Sequence, residues 1–260
     1  MNKPYITIIT VNYNNNSGLK NTINSVINQS YSFIEYIIID GGSSDGSVDI
    51  IKKFENSIAH WVSEKDNGVY DAMNKGIEKA SGDYCLFLNS GDTLYHDKVI
   101  ENILPDLSGS DLVYGDIHIE LSPKFSIISS FKNKKINRRF FISTNGLPHQ
   151  ATFIRTQFLK KHQPAYKNDY PITADHEFFS RSVLIDKASL KYTPNIITNY
   201  EITGMSCKIK NSYKILRERF KISRIYLNKI LVIAYYIYYA PKFLFRTIIR
   251  NLIVSILNKG

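Results

Sequence analysis

Gly82-Asp83-Tyr84-Cys85-Leu86-Phe87-Leu88-Asn89-Ser90-Gly91-Asp92-Thr93-Leu94 is the stretch whose reading decides the fold. Residues 84–88 have the length and the aromatic and aliphatic content of a buried strand, and the Asn-Ser-Gly-Asp that follows is turn chemistry. Asp92 then stands at a strand's carboxyl end. In open α/β sheets that edge is where ligands bind, and a carboxylate there can hold a divalent cation against a diphosphate. A plain surface turn, with Asp92 bonding only nearby backbone N–H groups, accounts for the same residues. The surrounding chain separates the two.

Upstream, one pattern recurs three times. Residues 5–11 read as a strand and Asn12 to Gly18 as a polar loop, and Leu19, Ile23, Val26 and Ile27 recur with helical spacing behind a capping Ser17. Residues 35–39 form a second strand ending in Asp40-Gly41-Gly42-Ser43-Ser44-Asp45-Gly46-Ser47, before a helix carrying Val48, Ile51 and Phe54. Residues 60–63 are a short third strand, 64–68 a loop, and Val69, Met73, Ile77 and Ala80 one face of a third helix. Strand, loop and helix in alternation predict βαβ units on a parallel sheet, an α/β fold. Each polar loop follows a strand's carboxyl end, so Asn12, Asp40, Asp66 and Asp92 are expected to converge on one rim.

Downstream the pattern changes. Val99, Ile100, Ile103 and Leu104 predict a helix stopped by Pro105; residues 111–120 and 124–131 read as strands, and the basic 132–139 as a mobile loop. Residues 151–154 and 196–200 are strand-like, Phe158 and Leu159 mark a short helix, and Pro171 to Asp175 leads into a helix using Phe178, Phe179 and Val183.

With 260 residues, 43% of them hydrophobic, the chain can build one full core and a small appendage, which excludes disorder as its main state. We divide it into a main domain, 1–205, and a tail, 206–260. Only Cys85 and Cys207 are present, so a disulfide framework is excluded and a reducing compartment is expected. Met1-Asn2-Lys3-Pro4 runs straight into a strand, so no signal peptide is expected. The tail from Lys208 onward carries twelve Lys and Arg against Glu218, a net +11, while the whole chain is +10; the remainder is therefore −1. The basic character belongs to the tail and points to an acidic partner there, membrane or nucleic acid.

Neither a Gly-x-Gly-x-x-Gly after the first strand nor a Gly-Lys-Ser/Thr is present, which argues against a dinucleotide-dependent oxidoreductase and a P-loop ATPase. Left are Asp and Asn side chains at strand ends, suited to base and ribose hydrogen bonding and to one hard metal ion.

Ile8 to Asn14 (Ile-Ile-Thr-Val-Asn-Tyr-Asn), Ile38 to Ser47, Asp66 to Gly76 and Phe87 to Asp92 together resemble the family 2 glycosyltransferases, in the branch found in bacterial capsule, exopolysaccharide and lipopolysaccharide gene clusters. The resemblance implies a GT-A fold, with a Rossmann-like, mostly parallel sheet flanked by helices, and inverting sugar transfer from a nucleotide diphosphate sugar. It implies that Thr10, Asn12 and Asn14 line the nucleotide pocket, that Asp40 hydrogen-bonds the base or ribose, and that Asp66 and Lys75 lie near ribose and phosphates. The family's acidic metal cluster is reduced here to Asn89-Ser90-Gly91-Asp92. By similarity Asp92 is the retained ligand for Mg2+ or Mn2+, with Asn89 offering a neutral oxygen and the diphosphate and water completing the sphere. His149 is either a further metal or phosphate neighbour or a packing residue. Ala174-Asp175-His176-Glu177-Phe178 matches the place of the family's base; Asp175 is taken as that base, with Glu177 as the substitute, although Asp175 is also well placed to cap a helix.

In the tail, residues 208–224 are basic and helix-compatible, 230–240 are apolar and Tyr-rich and are expected to be broken by Pro241, and 243–257 are apolar with Arg246 and Arg250 one turn apart. These stretches are short of the roughly 20 apolar residues of a membrane span. They are read as lying peripherally on an anionic cytoplasmic leaflet, where a lipid-linked glycan acceptor would reside. Helices packed on the domain or on another subunit, and a re-entrant hairpin through Pro241, remain alternatives. Two other functions stay open: a sugar nucleotidyltransferase, which needs a Gly-rich basic loop after the first strand, and a non-enzymatic membrane- or nucleic-acid-binding protein acting through the tail. The second leaves the strand-end acids unexplained, so no nucleic-acid partner is expected.

Overall fold

The computed structural model describes residues 3–122, 125–142, 146–201 and 209–257. The predicted alternation is present: β1 (Ile6–Asn12), α1 (Asn16–Ile27), β2 (Ile34–Asp40), α2 (Ser47–Lys53), β3 (His60–Ser63), α3 (Val69–Lys79) and β4 (Tyr84–Phe87). The strands lie in the order β3-β2-β1-β4, all parallel. The sheet then continues antiparallel through β8 (Thr152–Arg155) to β6 (Leu112–Ser122), runs parallel to β9 (Leu190–Glu201) and ends on β5 (Thr93–Leu94), with β7 (Phe125–Ser129) pairing β6.

Period-two alternation divides the central strands between two apolar layers. Ile6, Ile8, Ile38 and Leu86 face Leu19, Ile23 and Val26 of α1, Ile51 of α2, and Ile100 and Ile103 of α4 (Val99–Ile103). Ile9, Ile37, Ile39 and Phe87 face Met73 and Ile77 of α3, Leu159 of α6 (Thr156–Lys161), and Phe178 and Phe179 of α7 (Ala174–Leu184). Phe87 is fully buried, edge-on to Tyr166 at 5.4 Å. Truncating such a side chain to Ala costs about 3–5 kcal/mol.

Two expectations are corrected. The basic 132–139 segment is not simply a loop, because Arg138–Ile142 forms helix α5 and Phe131, Phe140 and Phe141 bury their rings against each other and the core. Lys134 Nζ lies 4.1 Å over the Phe131 ring. Pro241 does not break the tail: α9 runs from Lys229 to Leu257 through it. Pro241 lies on the exposed side, where the carbonyl it leaves unbonded meets solvent. The first tail helix, α8 (Ser212–Tyr226), packs on the main domain, with Ile222 fully buried in the layer that holds α7. Cys85 is a buried free thiol; Cys207 lies outside the described residues.

Candidate functional site

β1 and β2 end in register, Asn12 opposite Asp40, and Asn12 Nδ2 donates to Asp40 Oδ1 at 2.7 Å. Asp40 is fully buried and also accepts from Ser43 Oγ at 2.6 Å, Ser63 Oγ at 2.6 Å, and the Ser43 and Gly42 N–H groups at 2.9 and 3.2 Å. Burial opposes its charge, yet the bonds from Ser43, Ser63 and Asn12 outweigh that and hold the carboxyl below its ordinary value. The chain's own donors surround both oxygens of Asp40 and hold its carboxylate at the strand end. Asn14, with φ of 48°, laces the two loops together, its N–H donating to Ser43 Oγ at 2.8 Å and its Oδ1 accepting from the Ser44 N–H at 2.9 Å. Asp66 Oδ1 accepts from the Gly68 N–H at 2.8 Å. Its other oxygen occupies the space beside Gly41, where a Cβ would come within 2.6 Å of it.

Thr10 is fully buried in β1, and its hydroxyl is 3.0 Å from the Tyr36 hydroxyl. Lys75 sits on the surface of α3 and pairs with Glu64 at 2.7 Å and Asp71 at 3.8 Å.

The turn after β4 is clamped by backbone bonds. Leu88 and Ser90 N–H groups reach the carbonyls of Ile9 and Val11 at 2.9 and 3.1 Å, and the Asp92 N–H closes on the Asn89 carbonyl at 3.0 Å. Gly91, at φ of 104°, takes the left-handed conformation that the turn needs. Thr22 Oγ1 of α1 donates to the Asp92 carbonyl at 2.7 Å, and Asp92 is 5% exposed. Asn89, on the same turn, places Nδ2 3.3 Å from His149 Nε2, while its Oδ1 is buried without a hydrogen-bond partner.

His149 continues the chain of contacts. Its Nδ1 is 3.6 Å from Asp175 Oδ2, and the Tyr70 hydroxyl at the start of α3 donates to Asp175 Oδ1 at 2.9 Å. Burial opposes the charge on Asp175, but His149, Tyr70 and Arg219 outweigh it and set its pKa at about 2. Its side chain is 26% exposed. Asp175 is not the helix cap: Thr173 takes that position, and Asp175 lies in the first turn of α7. Glu218 of α8 anchors the residues leading into that helix, one of its oxygens accepting from the Ile172 and Thr173 N–H groups at 3.1 and 3.0 Å. Glu177 is corrected as a substitute base, because it is fully buried against Lys167 Nζ at 2.8 Å, Arg181 Nε at 3.4 Å and the Tyr226 hydroxyl. His176, 1% exposed, is held neutral by burial and by Arg219, with a pKa of about 3.

The fold thus gathers Asn12, Asn14, Asp40 and Asp66 at one end of the rim, and Asn89, His149 and Asp175 at the other; the bond from Ser90 to Val11 joins them. Three residues escaped sequence reasoning. Tyr13, 67% exposed beside Gly41, is an aromatic inside a quoted motif. Tyr70 also lies in a quoted motif, and Glu218 was visible as the one acid of a basic tail.

Among the described residues no group of three or more His, Cys, Asp or Glu is placed to hold a metal ion. Asn89 Oδ1, buried and unpartnered, with the Asp92 carboxylate near it in sequence, fits a hard cation whose remaining ligands come from an anionic substrate.

The sequence profile described as Glycosyl transferase family 2 matches residues 7–163. An uncharacterized glycosyltransferase of Mycobacterium tuberculosis is 35% identical over 194 residues, covering 70% of each chain. A PGL/p-HBAD biosynthesis glycosyltransferase of Mycobacterium bovis is 30% identical over 213 residues, 79% of this chain and 80% of that one. TarS of S. aureus, solved with UDP-GlcNAc, superposes with a TM-score of 0.67 at 17% identity over 88% of this chain and 69% of its own. The mannosyltransferase PcManGT of Pyrobaculum calidifontis, solved with GDP-Man and Mn2+, gives 0.68 at 14% identity over 96% and 74%. At such identities the likeness is one of fold: a GT-A type sheet, mostly parallel and flanked by helices.

Proposed function

Since this chain belongs to Glycosyl transferase family 2, we propose that it moves a hexosyl group from a nucleotide diphosphate sugar to an acceptor hydroxyl with inversion, Asp175 serving as the base. The observation that carries the proposal is the linked set Asn89, His149, Asp175 and Tyr70, adjoining the laced loops of β1 and β2. Asp175 is ionised, partly exposed and bonded on only part of its surface, so it has room for one more donor. The acceptor oxygen bonds to the anomeric carbon as the bond from that carbon to the diphosphate oxygen breaks, and the acceptor's proton passes to Asp175. With so low a pKa, Asp175 takes the proton late, once bond formation has made the hydroxyl acidic.

At the other end, Tyr13 offers a flat face for the base, Asp66 an acceptor for ribose hydroxyls, and Asn12 Oδ1, which is buried and unpartnered, a further acceptor. Lys75 reaches phosphate only by leaving Glu64. Asn89 and Asp92 would hold Mg2+ or Mn2+, with His149 beside them; the ion, when bound, neutralises charge developing on the departing diphosphate. We further propose a lipid-linked glycan acceptor in bacterial surface polysaccharide synthesis, in the capsule, exopolysaccharide or lipopolysaccharide class, with the enzyme peripheral at the cytoplasmic face of the membrane. The four motifs and the tail support this. A sugar nucleotidyltransferase is disfavoured because the loop after β1 holds Asn and Ser, with no Gly-rich basic stretch for a triphosphate.

Screening nucleotide sugars by thermal shift, with and without Mn2+, tests the proposal. A donor that binds the native state raises the melting point, by about 2.7 kcal/mol of stability at a hundredfold excess over Kd. Stabilisation by one nucleotide diphosphate sugar, increased by Mn2+, is the expected result. Release of pyrophosphate from a nucleoside triphosphate and a sugar phosphate would contradict it.

A further inference from the structure

Helix α9 has two long faces, and only one of them is covered. Val232 and Tyr236 are buried, and with Tyr239 and Phe243 they pack on Leu216 and Phe220 of α8. On the opposite side Ile230, Ile237, Phe245, Ile248 and Leu252 are 78, 74, 64, 54 and 60% exposed. With Pro241 they recur at helical spacing and form one continuous apolar stripe, about 33 Å long at 1.5 Å per residue. Soluble surfaces seldom leave so extended an apolar strip uncovered. No helix among the described residues is long and apolar enough to cross a membrane, so the stripe does not mark a span.

Charge selects what covers it. Helix α9 contains Lys229, Lys242, Arg246 and Arg250 and no Asp or Glu, and the tail as a whole carries a net +11. Lys242 and Arg246 are one turn apart and flank the stripe; Lys242 Nζ lies 3.8 Å over the ring of Tyr238, itself 63% exposed. A second copy laid on the same face would bring cations against cations with no acid on either helix to offset them. A surface of anionic lipid supplies apolar depth for the stripe and negative charge for its flank. Tyr with Lys or Arg at the edge of an apolar face is also the pairing that suits the headgroup boundary.

Resting on the peripheral membrane placement proposed above, we propose that α9 docks lengthwise into the interface of an anionic bilayer, with the stripe in the acyl boundary and Lys242 and Arg246 at the headgroups. Docking does not depend on sugar transfer and is read without substrate. Helix α8 holds α9 to the domain, and its Glu218 bonds the residues just ahead of the helix that carries Asp175, so the docked face has a fixed relation to the site.

Flotation of the full chain with phosphatidylglycerol-containing vesicles, and with pure phosphatidylcholine vesicles, tests the proposal. The wild type is expected to float with the first and not the second. Ile237→Asp combined with Phe245→Asp should abolish flotation, and Lys242→Glu with Arg246→Glu should weaken it by about tenfold or more. All four residues are on the solvent side, so melting points are expected to stay at the wild-type value. Three results would each overturn the proposal: no flotation of the wild type, flotation unchanged by the Asp pair, or a dimer by light scattering that the Asp pair splits, which would make a second copy the occupant.

Discussion

Asp40 and Asp175 are both acids held below their ordinary pKa, and they stand at opposite ends of the rim in opposite condition. Asp40 is wholly buried with five donors on two oxygens, while Asp175 keeps 26% of its side chain exposed with Tyr70 and His149 as its close partners. A saturated carboxylate belongs to the architecture; an incompletely bonded one can still receive a proton. The same lowered pKa therefore has two meanings, and the accessible lone pairs tell them apart.

The sharpest way to break this contrast is Asp175→Asn. Loss of general-base assistance is expected to lower kcat by about 10²- to 10⁴-fold, with nucleotide-sugar affinity by calorimetry unchanged. Asp40→Ala should do the reverse in kind. It strips partners from buried donors and is expected to cost about 3 kcal/mol of stability in urea melts, with any loss of turnover following the unfolded fraction.

Acid titration sharpens the same distinction. Each group's folded pKa lies below its unfolded value, so its stabilisation is whole above the unfolded value and fades as pH falls through the folded one. For Asp175 that window runs from the ordinary 3.8 down to about 2. Asp175→Asn should therefore lose less stability than wild type across that range. Tyr70→Phe, which removes one donor from Asp175, is expected to cost about 1 kcal/mol and to lower kcat by roughly tenfold. The smallest effect belongs to Lys75→Ala: its pair with Glu64 is solvent-exposed, at 29 and 54%, and such pairs contribute about 0–1 kcal/mol. A large rise in the donor's KM for that variant would instead place Lys75 against phosphate.

The two ends of the rim also differ in how far the sequence reveals them. The β1, β2 and β4 loops are legible because a repeated strand, loop and helix leaves each loop one possible edge, and each strand reads as an apolar run. Asp175 and His149 follow no such repeat. His149 meets Asn89 across 60 residues and Tyr70 meets Asp175 across 105, contacts that no local spacing encodes. Thr10 and Asp40 are legible as positions only. A motif marks a position, but whether its side chain faces a ligand or its neighbours depends on donors such as Tyr36, Ser43 and Ser63, which are assembled only by folding. Pro241 misleads because a missing hydrogen bond matters less on a helix's wet side than in its packed one.

The most direct test of a one-step displacement assisted by a single base is the anomeric configuration of the product, read by proton NMR of the transferred sugar in its glycosidic linkage. A one-step displacement requires the product to carry the configuration opposite to that of the donor. Retention of the donor's configuration would contradict it.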